Sequence, residues 1–242
     1  MRTVAVVLAG GAGNRFGPGP PKQLQLLRGR TLLDRCVSAF DRAPGVDEVL
    51  VVTPAELTAD VGTQLQGYAK LAAVIGGGAE RTDSTQRAIA WLTARFAPAG
   101  QDEDCKVLFH DAARPLVDQR IVADCVSALD SWDAIGVVVP SADTIVEIAD
   151  GAFGRVLPRD SLARCQTPQG FRLGVIRRAY QLAAADPEFT DWPATDDCGV
   201  VRRYLPDIPI GVVRGSERNI KITYGSDLAV AETLLDQDGP AG

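Results

Sequence analysis

Apolar and polar residues change period along this chain in a regular way. An unbroken apolar run opens at Val4 (VAVVLA) and suits a strand buried on both faces of a parallel sheet. Leu33, Val37 and Phe40 then fall at helical spacing behind Thr31 and Asp34, which resemble a capping box, so a helix is expected from Leu32 to about Arg42. The alternation continues as strand Val46–Thr53, helix Ala55–Gly67, short strand Ala72–Ile75 and helix Glu80–Phe96. Strand Lys106–Phe109, helix Asp118–Leu129 and strand Ala134–Pro140 follow. Strands and helices in this order predict βαβ units, a mostly parallel sheet and right-handed crossovers, that is, an α/β, Rossmann-like open sheet.

From Ser141 to Arg164 the alternation stops. Asp150-Gly151 between two β-leaning runs signals a hairpin inserted into the domain, either covering the site or reaching for a partner subunit. Gln166–Phe171 brings the chain back to a helix from Leu173 to about Ala185. Ile208–Val213 and Asn219–Thr223 read as late strands, and Ser226 or Asp227 caps a last helix with Leu228, Ala231, Leu234 and Leu235 inward. Residues Asp236–Gly242 read as frayed. Without a repeat or linker, all 242 residues are expected to form one domain.

Composition narrows the function. A net charge of −6 argues against general affinity for nucleic acid or anionic membrane. Five scattered cysteines without a CxxC pair, and a single histidine, argue against a zinc site or disulfide framework. A strand beginning by residue 4 leaves no room for a signal peptide and no apolar run reaches membrane-spanning length, so a cytoplasmic protein is expected.

Positive charge is concentrated against that acidic balance in the loop after the first strand. It holds Gly10, Gly11, Gly13, Gly17 and Gly19, with Arg15 and Lys22, and prolines 18, 20 and 21 stiffen its return. Glycines let successive N–H groups approach one set of phosphate oxygens. The dinucleotide fingerprint fails at Phe16, and the P-loop pattern fails at Pro21 and Gln23. An ordinary glycine-rich turn is the alternative.

In an open parallel sheet, ligands bind beyond the carboxyl ends of the strands. There the chain delivers the Arg15/Lys22 loop, Gly76-Gly77-Gly78, HDAARP (110–115), the hairpin with Thr144 and Arg159, and Lys221. Asp111 is the carboxylate placed to hold Mg²⁺ against phosphate oxygens, or else to cap the next turn. Arg114 pairs with a phosphate or with Asp111, while His110 reads more readily as a satisfied structural residue than as a catalyst.

The segments LAGGAGNRFG…PPKQ (8–23), GGGAERTDS (76–84), HDAARP (110–115), ADT (142–144), PRDS…QTPQGF (158–171) and NIKIT (219–223) together resemble the cytidylyltransferases that activate polyol phosphates. That family includes enzymes for 2-C-methyl-D-erythritol 4-phosphate and for D-ribitol 5-phosphate. The resemblance spans about nine-tenths of the chain and implies a nucleotidyltransferase fold with Mg²⁺. It casts Arg15 and Lys22 as stabilisers of transition-state charge. Leu8, Ala9, Gly10, Gly11 and Gly13, with Gly77, Gly78 and Ser84, look like CTP-binding positions, and Asp111 resembles the residue beside metal and triphosphate. Thr144, Arg159, Arg114, Thr167 and Lys221 look like holders of the polyol phosphate. The family's hairpin arm implies a homodimer with shared sites. Leu8-Ala9-Gly10-Gly11 looks more like the ribitol branch, whereas the erythritol branch usually opens Pro-Ala-Ala-Gly; Ala79 and Arg218 replace residues that are often acidic.

The implied chemistry needs little acid–base help. A phosphate monoester is largely dianionic near neutral pH, its second pKa being about 6. It attacks the α-phosphorus of CTP without a general base, so the protein supplies positioning and charge. Transfer to 2-C-methyl-D-erythritol 4-phosphate is the leading expectation and ribitol 5-phosphate the near alternative; a catalytically silent CTP-binding module is the distant one.

Overall fold

A computed structural model describes residues 1–11, 16, 20–100, 105–189 and 195–237 of the chain. Strand β1 (Thr3–Leu8) leads to a two-residue ribbon, β2 (Leu26–Leu27) with β3 (Arg30–Thr31), and then to α1 (Leu32–Asp41). Next come β4 (Glu48–Thr53), α2 (Thr58–Leu65), β5 (Leu71–Gly76), α3 (Arg81–Phe96), β6 (Lys106–Asp111), α4 (Gln119–Ala128) and β7 (Ala134–Pro140). The hairpin strands β8 (Val146–Ala149) and β9 (Ala152–Val156) precede β10 (Ala163–Arg172), α5 (Leu173–Ala185), α6 (Asp197–Tyr204), β11 (Ile210–Arg214) and α7 (Ser226–Asp236).

Seven strands form one sheet in the order β11-β7-β10-β6-β1-β4-β5. Every pairing is parallel except those of β10, which runs antiparallel to both β6 and β7. All six residues of β1 are buried, because helices cover both faces. Ala5 and Val7 pack with Val49, Val51 and Leu108 against α1 and α4. Val4, Val6 and Leu8 pack with Leu50, Val52, Val107 and Phe109 against α3 and α5. The strand period of two sorts one apolar run into two cores, hence its lack of alternation. Leu27, Leu32, Ile222 and Ala231 form a third cluster under α7.

The hairpin is present as expected. Asp150 and Gly151 take φ values of 51° and 76°, the paired left-handed conformation that a two-residue turn between twisted strands requires. Its apolar side chains face outward: Ile148 and Phe153 are 67% and 71% exposed.

Several expectations are corrected. At α1, Thr31 accepts the Asp34 N–H at 3.0 Å, but the Asp34 carboxylate is taken by Arg30 and Tyr68, so the cap is one-sided. The helix expected from Ala55 begins as a 3₁₀ turn and becomes α-helical at Thr58. Strand β6 continues two residues beyond Phe109, so His110 and Asp111 are sheet residues. The returning segment around Gln166 is a full sheet strand, and α6 is an additional helix capped by Asp196. Residues Asn219–Thr223 are not a strand; the Ile222 N–H joins the Ala113 carbonyl at 2.8 Å and its side chain is buried. Gly225 occupies the cap position of α7, while the Asp227 carboxylate accepts the N–H groups of Thr223 and Tyr224. Of the stretch expected to fray, Asp236 closes α7 and 238–242 lie outside the described residues.

Candidate active site

A cavity of about 410 Å³ opens at the carboxyl ends of β1 and β6. Leu8, Ala9, Gly10 and Gly11 form one wall, Lys22 and Gln23 the returning limb of the loop, and Asp111, Ala112 and Ala113 the floor. Ala79, Glu80, Arg81 and Ser84 come from the head of α3, and Lys221 and Thr223 from the segment before α7. Glu80 and Asp83 cap the head of sixteen-residue α3 reciprocally, and the positive end of its dipole faces this space, a setting that favours phosphate.

Ser84 explains two of the glycines. A Cβ at Gly10 would lie 2.8 Å from Ser84 Oγ, and one at Gly77 would lie 2.6 Å from it. Ser84 itself is buried and its Oγ accepts the Gly78 N–H at 3.3 Å. The wall is therefore built by backbone packing closely around one hydroxyl.

At the floor, the Asp111 carboxylate receives Arg81 Nε on Oδ1 at 3.0 Å and Lys221 Nζ on Oδ2 at 2.7 Å. Burial alone would raise this carboxyl, but Arg81 and then Lys221 overcome that effect and hold it well below the usual carboxylate range. Asp111 is thus an anion throughout the physiological range. Its N–H donates to Thr167 Oγ1 at 3.1 Å.

His110 stands behind it, fully buried, with Nδ1 3.1 Å from Thr167 Oγ1 and Nε2 3.0 Å from the Arg114 carbonyl. A carbonyl only accepts, so Nε2 carries the proton and Nδ1 accepts from the threonine hydroxyl. Burial pushes its pKa down to about 4, so the imidazole is neutral and structural, as its sequence setting suggested.

The sequence-derived candidates divide by place. Leu8, Ala9, Gly10, Gly11, Lys22, Ser84, Asp111 and Lys221 meet at the cavity, with Gly77 and Gly78 packed behind Ser84. Thr167 lies beneath Asp111. The Arg114 guanidinium does not line the cavity and forms no ion pair with the Asp111 carboxylate: it donates to the carbonyls of Asn219 at 2.8 Å and Cys165 at 3.2 Å, bracing the segment that carries Lys221. Thr144 and Arg159 are exposed on the arm and do not line the cavity. Gly13 and Arg15 lie outside the described residues.

Arg81 was not singled out from sequence, although it touches the floor carboxylate. Its signal was available: a cation in the first turn of a helix opposes the macrodipole and calls for an anionic partner.

Among the described residues no three His, Cys, Asp or Glu side chains group to hold a metal. Each Asp111 oxygen has one cationic partner and keeps a further lone pair, so the floor fits a Mg²⁺ ion held mostly by substrate phosphates.

The 2-C-methyl-D-erythritol 4-phosphate cytidylyltransferase family model matches residues 3–237. The enzyme of that name from Thermobifida fusca is 51% identical over 241 residues, which cover 97% of this chain and 93% of the relative. A bifunctional ribulose 5-phosphate reductase/CDP-ribitol pyrophosphorylase from Haemophilus influenzae is 34% identical over 97% of this chain, matching 48% of its own length. The crystal structure of 4-diphosphocytidyl-2C-methyl-D-erythritol synthase from Anaerococcus prevotii superposes with a TM-score of 0.81 at 25% identity, over 97% of this chain and 98% of that one. A cationic, glycine-walled cavity at the ends of a mostly parallel sheet, matched along nearly its whole chain, places this protein in the 2-C-methyl-D-erythritol 4-phosphate cytidylyltransferase family.

Proposed function

We propose that this chain transfers the cytidylyl group of CTP to 2-C-methyl-D-erythritol 4-phosphate, releasing pyrophosphate. The observation that carries the reading is the Arg81–Asp111–Lys221 cluster on the cavity floor with Lys22 in the wall. An acceptor phosphate oxygen forms the new bond to the α-phosphorus, the bond to the β-phosphate bridging oxygen breaks, and pyrophosphate leaves with that electron pair. Lys22 and the head of α3 face the charge that accumulates on the triphosphate, and Lys221 orients the acceptor phosphate. Arg15 joins Lys22 in this role by the family resemblance. Asp111 would hold Mg²⁺, which supplies charge neutralisation on the phosphates when bound.

The exposed apolar arm supports a homodimer in which Thr144 and Arg159 serve the partner's site, since Ile148 and Phe153 gain burial only against another surface. Among the described residues no helix is long and apolar enough to cross a membrane. The higher identity to the Thermobifida relative than to the CDP-ribitol one favours the erythritol acceptor. The test is pyrophosphate release from CTP and Mg²⁺ with each polyol phosphate. Preference for 2-C-methyl-D-erythritol 4-phosphate is expected; preference for ribitol 5-phosphate would reverse the acceptor, and reaction with neither would remove the activity.

A further inference from the structure

The guanidinium of Arg81 does not belong to Asp111 alone. Its Nη2 lies 2.9 Å from Asp197 Oδ2, a charge contact bent away from a linear hydrogen bond. Asp197 is the first residue of α6 and has no exposed surface. Its other oxygen accepts the hydroxyl of Tyr180, on α5, at 2.7 Å. Neither Asp197 nor Tyr180 lines the cavity, and no step of the reaction above uses them. A buried carboxylate is expensive unless paired, so its charge calls for a reason.

Geometry supplies one. Arg81 presents its Nε edge to Asp111 and its outer nitrogen to Asp197, so one rigid fork is stretched between two carboxylates. Lys221 closes the row on the far side of Asp111, giving two cations and two anions in alternation. Without charge at Asp197, the fork is free to turn both of its nitrogens onto Asp111 as a bidentate pair. Arg81 would then leave the wall at the head of α3, and Lys221 would lose its place on Oδ2.

We infer that Asp197 is a positioning residue: it anchors Arg81 from behind and so keeps the Arg81–Asp111 part of the floor spaced for the triphosphate of the nucleotide. The inference rests on the CTP reading above, and Tyr180 contributes by fixing the Asp197 carboxylate.

The experiment is a double-mutant cycle on CTP affinity, by calorimetry with Mg²⁺, in wild type, Arg81→Gln, Asp197→Asn and the double variant, each checked by thermal melting. Arg81→Gln and Asp197→Asn are each expected to weaken binding about tenfold, the scale of one charged contact. The double variant should bind no more weakly than Arg81→Gln, because Asp197 acts through Arg81. In turnover of Asp197→Asn, KM for CTP should rise about tenfold while kcat at saturation stays within about threefold, a split that loss of fold does not produce. Affinity of Asp197→Asn within about twofold of wild type, or independent additive losses, overturns the inference. Should Asp197→Asn not fold, Tyr180→Phe decides: about threefold weaker binding that vanishes in the Arg81→Gln background supports it, and unchanged binding overturns it. Wild-type protein that does not bind CTP at all defeats the underlying reading, and this inference with it; that outcome differs from wild-type binding that Asp197→Asn leaves intact.

Discussion

His110 is the only histidine of the chain, so the stability of the protein between neutral and mildly acid pH reports on a single imidazole. The ring is fully buried, set edge-on to Phe40 at 5.1 Å between centroids, and neutral with its proton on Nε2. Protonating Nδ1 would put a charge in this apolar setting and remove the acceptor to which Thr167 donates. Burial lowers the folded-state pKa to about 4, against about 6.5 in an unfolded chain. Between those values the unfolded chain binds a proton that the folded one refuses. Stability from this group is therefore complete above pH about 6.5 and is lost as pH falls towards about 4. The slope in that window is about 1.4 kcal/mol per pH unit, so about 2 kcal/mol is lost by pH 5 and about 3 kcal/mol in all. That is a large part of a domain stability of about 5–15 kcal/mol. Urea unfolding at about pH 7 and pH 5 measures it, with His110→Gln as the control that cannot titrate. The wild-type midpoint should drop on acidification far more than that of the variant. Equal drops, or an imidazole NMR signal that titrates near its ordinary value, would refute the reasoning. Asp111 does not confuse the window: Arg81 and Lys221 overcome its burial and hold its carboxyl low, so its own contribution is lost only under stronger acid.

Three further outcomes are expected. Thr167→Val leaves the Asp111 N–H and His110 Nδ1 buried without partners, which should cost about 2–4 kcal/mol by urea unfolding, with Thr167→Ser near wild type; a loss below about half a kcal/mol would show the hydroxyl to be dispensable. Lys22→Ala should lower kcat by about a hundredfold or more with Tm within about 2 °C, and near-normal turnover in pyrophosphate release would remove Lys22 from catalysis. Gly77→Ala sets a Cβ 2.6 Å from Ser84 Oγ and 3.2 Å from Val52 Cγ1, so melting should reveal about 1–3 kcal/mol of overpacking, partly relieved by Ser84→Ala; an unchanged Tm would mean that the wall yields.

The parallel strands were legible because both of their faces are buried: β1 and β4 read as continuous apolar runs. The strand nearest the chemistry was not. Gln166, Thr167 and Gln169 are 5%, 5% and 1% exposed, and each is satisfied by a specific partner: the Ser216 carbonyl, His110, and the Asp196 carboxylate. Burial by pairing leaves no apolar signature, so β10 looked like a return loop and β6 looked two residues short. The reverse error arose at Asn219–Thr223, where Ile220 and Ile222 alternate as in a strand. Buried Asn219 instead binds the Thr167 carbonyl at 2.9 Å through its side chain and holds the segment outside any sheet. The cationic loop and the glycines could be chosen from sequence because their residue types already imply phosphate, and Asp111 because a carboxylate at a strand end suits a metal held against phosphate oxygens. Arg81 could not be ranked without knowing that β6 and α6 bring a carboxylate to each side of it.

The strand order also sets which parts of the chain each strand needs before it can pair. Neighbours β1, β4 and β5 are local in the chain, and β6 docks onto β1 without waiting for anything beyond Asp111. Strand β7, next in the chain, has no bond to β6; the space between them belongs to β10, which is made only after the whole arm. Until residues 163–172 arrive, the nascent sheet has two open edges facing each other, the arrangement most exposed to wrong pairing. The same late strand brings Thr167 to the Asp111 N–H and presents the Thr167 carbonyl to Asn219. The gap in the sheet is therefore filled before the floor of the cavity is complete, since Asn219, and with it the Lys221 segment, docks onto a strand already in place, and a chain halted before β10 would lack both Thr167 and Lys221.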